Sequence, residues 1–519
     1  MITLRSFVCG KWVEGAGEGA TLLNPATEVP LATANSNGVD FQAALAHART
    51  VGGPALRELS FGERAQLVGA LYTTLHAHRD ELIAPAIANG GNTRSDAKFD
   101  IDGAWGTLAY YAQLGESLGS AKELVEGESL QLSRSARFHG GHILTPRHGV
   151  AVHINAFNFP AWGFAEKAAC ALLAGMPIVV KPATATALLA YRIMELVVES
   201  KLLPDGALSF IAGQTGDLLS RLEGQDVLAF TGSSSTGAEL RSGRAVIECS
   251  VRVNVEADSL NAAVLCADAE RGSPAYELFL TDVVRDMTQK AGQKCTAIRR
   301  VLVPTVLAEA VQEDLAERLS AVKVGDPARD EVTMGPLATA QQLADVRAGI
   351  AHLRTDTESV FGDGGAVSAI GVPTGRGFFV GPVLLRAHDP ATASTVHAHE
   401  VFGPVATLLP YDGTPRSAVA LLARSGGMLV SSIYGDARET LVELARGLAP
   451  YCGRIFLGSS KLVGQASPPG TVLPQLIHGG PGRAGGGQEL GGLQGLHLYL
   501  QRTALQADKP LLDQLTGRG

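Results

Sequence analysis

Residues 286–300 read DMTQKAGQKCTAIRR. Cys295 follows Gly292 and Gln293 and precedes Arg299 and Arg300, away from the apolar runs where a cysteine acts as a small hydrophobe. Nearby cations and helix N-termini favour the thiolate, the nucleophilic form. The stretch therefore reads either as a nucleophile's setting or as a cysteine in a helix core. Glu256 ends the apolar β-type run SVRVNVEA (250–257). It is either a solvated strand-end residue or a desolvated carboxylate, whose raised pKa suits a general base near neutrality. Asn158 in INAFNFPAW is either a turn residue or an amide donor for a developing oxyanion. In AFTGSSSTGAEL (229–240), Gly232 and Ser233 follow a strand and open a helix. Backbone N–H groups at such a start bind phosphate, although a plain N-cap reads the same and GxGxxG is not present. Lys181 in KPATAT lies just past a strand, in reach of any phosphate bound there.

These residues need elements to hold them. Strand-like runs fall at 149–157, 176–183, 207–213, 226–232, 250–257 and 261–267, with helix patterns at 161–175 and 186–202 between them. Strands separated by helix-length segments predict βαβ units and a parallel sheet. Continuous apolar strands predict that both of its faces are covered. Residues 40–120 read as mostly helical, with 61–87 as the strongest amphipathic stretch. Residues 275–330 and 335–460 give a second αβ pattern, which carries the cysteine. Two β-like segments, at 129–147 and 497–506, could pair as an extension and form a dimer interface. The glycine-rich run HGGPGRAGGGQELGGLQG (478–495) reads as tight packed turns.

The 519 residues allow roughly two to four domains. A net charge of −8 argues against a nucleic-acid binder. No apolar run reaches the ~18 residues of a membrane span, and the N-terminus lacks a secretory pattern. Six scattered cysteines without a CxxC pair indicate neither a zinc site nor a disulfide framework. A reducing cytoplasm is the expected location.

In chain order, the motifs Phe157-Asn158-Phe159-Pro160, Lys181-Pro182, Phe230-Thr231-Gly232-Ser233 with Gly237, Gly292-Gln293-Lys294-Cys295 and Glu400-Val401-Phe402-Gly403-Pro404 resemble those of the aldehyde dehydrogenase superfamily. The resemblance covers nearly the whole chain. One motif departs: where the family reads Glu-Leu-Gly-Gly-Lys, this chain reads Glu256-Ala257-Asp258-Ser259-Leu260. The run 474–503 resembles the branch that holds the ring-opening enzymes of phenylacetate breakdown and the semialdehyde dehydrogenase of benzoyl-CoA oxidation. The phenylacetate enzyme usually carries a C-terminal hydratase, and the end at 519 favours the benzoate branch.

The resemblance implies an α/β fold with a Rossmann-type cofactor domain (1–128 and 148–255), an αβ catalytic domain (256–470) and a small β oligomerisation extension (129–147 and 496–510). It implies Cys295 as nucleophile, Glu256 as base, Asn158 as oxyanion donor and Lys167 as a proton relay, with Glu489 a weaker relay candidate. Lys181, Gly232, Ser233, Glu400 and Phe402 would hold the cofactor. NAD-preferring relatives usually carry a Glu where this chain has Thr184, so NADP is the expected cofactor and NAD the alternative. The implied reaction is oxidation of a CoA-linked semialdehyde, 3,4-dehydroadipyl-CoA semialdehyde, by a homodimer. The alternatives are the dehydrogenase half of phenylacetate-type ring opening and a CoA-acylating dehydrogenase, whose relatives generally lack the Glu256 base. No motif places a histidine, which argues against a cofactor-free cysteine hydrolase.

Overall fold

The runs AVHI, IVVK, VLAFT and RVNVE are apolar and rich in β-branched residues, and each forms a strand. The computed structural model describes residues 1–517. A seven-stranded sheet has the order Arg252–Glu256, Val227–Thr231, Ala151–Ile154, Ile178–Lys181, Leu208–Phe210, Ser6–Val8, Lys11–Val13. The first five strands run parallel, and the N-terminal pair joins antiparallel. The chain enters at Ala151–Ile154, builds outward to Leu208–Phe210, then crosses back to Val227–Thr231 on the other side. Ligands bind at such a switch, outside the carboxyl ends of the strands. The loops leaving there carry Asn158 and Gly232–Ser233.

A second seven-stranded sheet has the order Thr357–Phe361, Val383–Ala387, Val405–Tyr411, Arg300–Pro304, Ala262–Leu265, Met428–Tyr434, Cys452–Gly458. All its pairings are parallel except the first. The expected strand at 261–267 is therefore not a sixth member of the first sheet. It pairs with Arg300–Pro304 and Met428–Tyr434. The chain changes sheets directly after Glu256, so that residue ends a strand at the seam.

Residues 40–120 are helical as expected, in five α-helices from Phe41–His47 to Arg94–Leu118. The stretch 61–87 is not one helix. Ser60 and Glu63 form a capping box on Phe61–Ala77, and the chain breaks at His78 before Arg79–Gly90. The strands before residue 35 escape sequence reading because each has only three to five residues, too few to show a period. Leu124–Gln131, Phe138–Pro146 and Leu500–Asp508 form a three-stranded antiparallel sheet. Its last pairing runs from Leu500 opposite Pro146 to Asp508 opposite Phe138. The two distant β segments thus do pair. Among the described residues, no helix is long and apolar enough to cross a membrane.

Asp226 anchors the strand beside the switch. One carboxylate oxygen accepts the Val150 N–H at 2.9 Å and the other accepts Glu223 N–H at 2.7 Å. The Arg49 guanidinium closes the site as an ion pair with the fully buried carboxylate. Replacing Asp226 with Ala strands a cation and an N–H, which costs about 3–5 kcal/mol. A fall in melting temperature of several degrees in differential scanning fluorimetry is the expected result, and no fall would remove this anchor.

Candidate active site

Two cavities meet at Cys295. The larger, of about 690 Å³, runs over the switch point past Lys181, Ser233, Glu400 and Phe402. The smaller, of about 40 Å³, is walled by Phe99, Phe159, Trp162 and Val472. Ala156, Asn158, Thr231, Glu256 and Cys295 line both.

The cysteine sits on a loop between the 3-10 turn Gln289–Gly292 and the strand Arg300–Pro304. Lys290, Ala291 and Gly292 are all left-handed, with φ of 54°, 52° and 69°. Such backbone is costly for Lys and Ala and persists only where neighbours impose it. Gln293 donates to Lys290 O and accepts from Ala338 N–H, each at 3.0 Å. A Cβ on Gly292 would lie 2.2 Å from Gly403 O, so the Gly-Gln-x-Cys and Glu-x-Phe-Gly-Pro motifs touch backbone to backbone. Asn261 donates to Cys295 O at 2.7 Å and Ala297 O at 2.9 Å, tying the loop to the start of the second sheet.

The basic pair does not serve the thiol as the sequence suggests. Arg299 donates to Gly403 O, Gly292 O and Lys294 O and pairs with Glu400 at 3.3 Å. Arg300 is fully buried and donates to Leu260 O and Ser425 Oγ. Burial, followed by the Glu256 carboxylate, pushes the Cys295 thiol well above its ordinary range. Burial and the carboxylates outweigh the nearby Arg299 and Arg454 guanidiniums.

Glu256 is 2 % exposed, so the desolvated reading holds. A raised pKa does not follow. Burial pushes the carboxylate up, but His478 and then Lys167 outweigh it and hold it well below the ordinary range. His478 Nε2 lies 2.9 Å from Glu256 Oε2 and 3.8 Å from Cys295 Sγ. This imidazole and Glu166, which lines the same chamber, are the site residues that sequence reasoning missed. The imidazole lies inside the glycine-rich run, on the strand Ile477–Gly479, paired antiparallel with Gln488–Leu490 so that His478 faces Glu489. The run is indeed tightly packed: a Cβ on Gly479 would come 2.2 Å from Gly487 O.

Lys167 is not a surface residue of its helix. It is 2 % exposed, with Nζ 2.8 Å from Glu166 and 3.2 Å from Glu489. Burial alone would lower its pKa, yet Glu166, Glu489 and Glu256 together raise it. Glu489 is pushed up to about 7 by burial, against the pull of Lys167. Asn254, on the Glu256 strand, donates to the other Glu489 oxygen at 3.0 Å. The Asn158 amide lies at the junction and donates to Gln293 O at 2.9 Å.

In the larger cavity, Ser233 caps the helix Ser234–Arg241 and accepts from Thr236 N–H. Gly232 N–H donates to Glu256 O at 3.1 Å. Lys181 is half-buried, and burial lowers its pKa. Thr184 stands just outside the cavity lining, and its hydroxyl donates to Gly213 O at 3.1 Å. Phe402 stacks edge-on to Phe157, with centroids 5.8 Å apart. The residues replacing the family's glycines fit without strain: neither Asp258 nor Ser259 has positive φ. Asp258 accepts the Ser234 N–H at 3.1 Å, and Ser259 N–H donates to Glu400 at 3.0 Å.

The family model "Aldehyde dehydrogenase family" matches residues 12–505. The chain is 44 % identical over 478 residues to the 3,4-dehydroadipyl-CoA semialdehyde dehydrogenase of Aromatoleum evansii, covering 92 % of this chain and 93 % of that protein. It superposes on a putative aldehyde dehydrogenase from Burkholderia cenocepacia with a TM-score of 0.84 and 27 % identity, covering 97 % and 99 % of the two chains. The betaine aldehyde dehydrogenase of Staphylococcus aureus in complex with NAD+ shares the fold, with a TM-score of 0.84 at 23 % identity over 97 % and 95 % of the chains.

Glu400 gives this geometry a pH signature. Burial pushes it up to about 7, with Arg299 opposing. The unfolded chain releases this proton near pH ~4.3, while the folded protein keeps it to about 7. Stability from this group is therefore full below ~4.3, falls across that window and has been lost above it. Glu400→Gln removes the group. Its melting temperature relative to wild type should rise with pH across the window and level off above it, and a constant difference would contradict the buried carboxyl.

Proposed function

The chain belongs to the aldehyde dehydrogenase family, and from that premise we propose that it oxidises a CoA-linked semialdehyde to its acid with NADP as the favoured cofactor. The observation that carries the reading is the junction of a dinucleotide-sized cleft and a narrow apolar chamber at Cys295, Glu256 and Asn158. The similarity to the Aromatoleum evansii enzyme supports 3,4-dehydroadipyl-CoA semialdehyde as substrate. The narrow aromatic walls suit an unbranched acyl chain.

The residues present fit a nicotinamide dinucleotide. The Thr231 hydroxyl is buried at the junction without a hydrogen-bond partner among the described residues. Gly232 and Ser233 open a helix toward the cleft, and Lys181 lines it. Glu400 and Phe402 close the far wall. The cofactor, when bound, supplies the hydride acceptor. No carboxylate stands at Thr184 to repel a 2′-phosphate, and Lys181 can pair with it. Because the Thr184 hydroxyl is engaged with Gly213, the NADP preference rests on Lys181 and on the absence of that carboxylate.

Cys295 adds to the aldehyde carbon. Asn158 and the Cys295 N–H stabilise the oxyanion, a donor of this kind contributing about 2.7–4 kcal/mol. The acyl group stays on sulfur as a thioester, and Glu256 activates water to release the acid. Lys167, Glu166 and Glu489 form a buried path along which the proton leaves. Retention of Glu256 favours hydrolysis over transfer to CoA. The sheet containing Phe138–Pro146 and Leu500–Asp508 exposes Leu130 and Phe138, consistent with a dimer built through the extension.

Stopped-flow absorbance of reduced cofactor tests the reading. With a CoA-linked C6 semialdehyde, Glu256→Gln should give one stoichiometric burst and then stall, while normal turnover would require another base. Activity confined to a free aliphatic aldehyde would discard the CoA-linked substrate. Thr184→Glu should weaken NADP binding more than NAD binding in titration calorimetry, and an unchanged ratio would remove the cofactor argument.

A further inference from the structure

Asp258 stands two residues past Glu256, at a position where the family motif has a glycine. Its carboxylate faces the start of the helix Ser234–Arg241. Oδ1 accepts the Ser234 N–H at 3.1 Å, and Oδ2 accepts the Ser234 hydroxyl at 2.5 Å. Beside it stands Arg483, whose Nη2 is 4.0 Å from Oδ2. Asp258, Ser234 and Arg483 all line the larger cavity, and the Asp258 side chain is 28 % exposed. An acid of the protein itself thus occupies the place in the cleft where an incoming anion would be most favoured.

The first turn of a helix offers unpaired N–H groups and the positive end of the dipole, so an anion is stabilised there. Those donors are few. Ser234 N–H is held by Asp258, and Thr236 N–H is held by Ser233 Oγ at 3.2 Å. A dinucleotide brings a diphosphate into the cleft. Diphosphate and carboxylate are like charges, and like charges set against each other weaken binding. The rest of the lining does little to offset this, since Glu256, Asp258, Asp345 and Glu400 outnumber Lys181 and Arg483. Arg483 does have room for a second partner. Its Nη1 donates to Ala398 O at 2.8 Å, while its Nε has no hydrogen-bond partner among the described residues.

We propose that Asp258 sets the affinity for the cofactor by competing with its diphosphate for the start of the helix Ser234–Arg241, and that binding drives the carboxylate from Ser234 to Arg483. The proposal rests on the reading of the larger cavity as a dinucleotide site. The diphosphate is common to NAD and NADP, so the competition weakens both to the same extent. It is therefore separate from the choice between them, which was placed on Lys181 and Thr184. No bond is made or broken: one carboxylate exchanges a hydroxyl and an N–H for a guanidinium, and the helix start passes from one anion to another.

Titration calorimetry of the full-length enzyme with NADP and, separately, with NAD reads the competition without turnover. In Asp258→Asn and in Asp258→Gly the Kd for each dinucleotide should fall about tenfold, with the ratio of the two unchanged. Arg483→Gln should raise the Kd for NADP when Asp258 is present and change it little beside Asp258→Asn, the non-additivity expected of groups in contact. A Kd that is unchanged or raised in the Asp258 variants, with wild type binding normally, would overturn the competition. Equal effects of Arg483→Gln in both backgrounds would overturn the transfer to Arg483. Should Asp258→Gly fail to fold, Asp258→Asn decides alone. Absence of binding by wild type and variants alike is a separate outcome, which removes the dinucleotide reading and the proposal with it.

Discussion

The chemistry depends on keeping four carboxyl groups out of water around one thiol. Glu166, Glu256 and Glu489 are buried, and the Glu400 side chain is 8 % exposed. Each would be expensive there without compensation, since an unpaired buried charge is among the costliest features a fold can hold. Lys167 resolves the inner three by standing between Glu166 and Glu489 with Glu256 nearby. Arg299 answers Glu400 at the other end of the site. The division is unequal. Glu256 stays charged, whereas Glu400 and Glu489 are pushed to about 7, where a small change decides whether they hold a proton.

That arrangement determines how the two sheets must meet. Glu256 is the last residue of a strand in the first sheet, and Asn261 opens the second a few residues later. Asn261 reaches the Cys295 loop, and Arg299 ties that loop to the Glu400 segment. Base, nucleophile and cofactor wall are thus carried by separate segments, but their backbones are bonded to one another across the seam. Contact of Gly292 with Gly403 at backbone distance leaves little freedom for either segment to move alone.

Much of this was legible in the sequence because it is local. The strands at 149–157 and 226–232, the helix-opening Ser233 and the cysteine in GQKCT each carry their signal within a few residues. The pairing of 129–147 with 497–506 was readable from two isolated β patterns. What the sequence hid is non-local. The strand at 261–267 looks like its predecessors; its residue pattern alone does not separate it from them, and only the family resemblance, which starts the catalytic domain at 256, set it apart before its partners were seen. Lys167 resembles any polar residue on a helix until two distant carboxylates are placed around it. Arg299 promised positive charge for the thiol, yet spends its hydrogen bonds on carbonyls and Glu400. His478 lay in a glycine run whose pattern signals turns, and no spacing rule links position 478 to position 256.

The glycine-rich hairpin has a consequence for the order of events during synthesis. It supplies both His478 and Glu489, and it is bonded to the Glu256 strand through Asn254. Domains fold broadly from the N-terminus as the chain emerges. A nascent chain that has grown past Cys295 but not yet past residue 490 holds its thiol and its base without the hairpin that joins them. The site is complete only when the end of the chain closes over parts that were made hundreds of residues earlier.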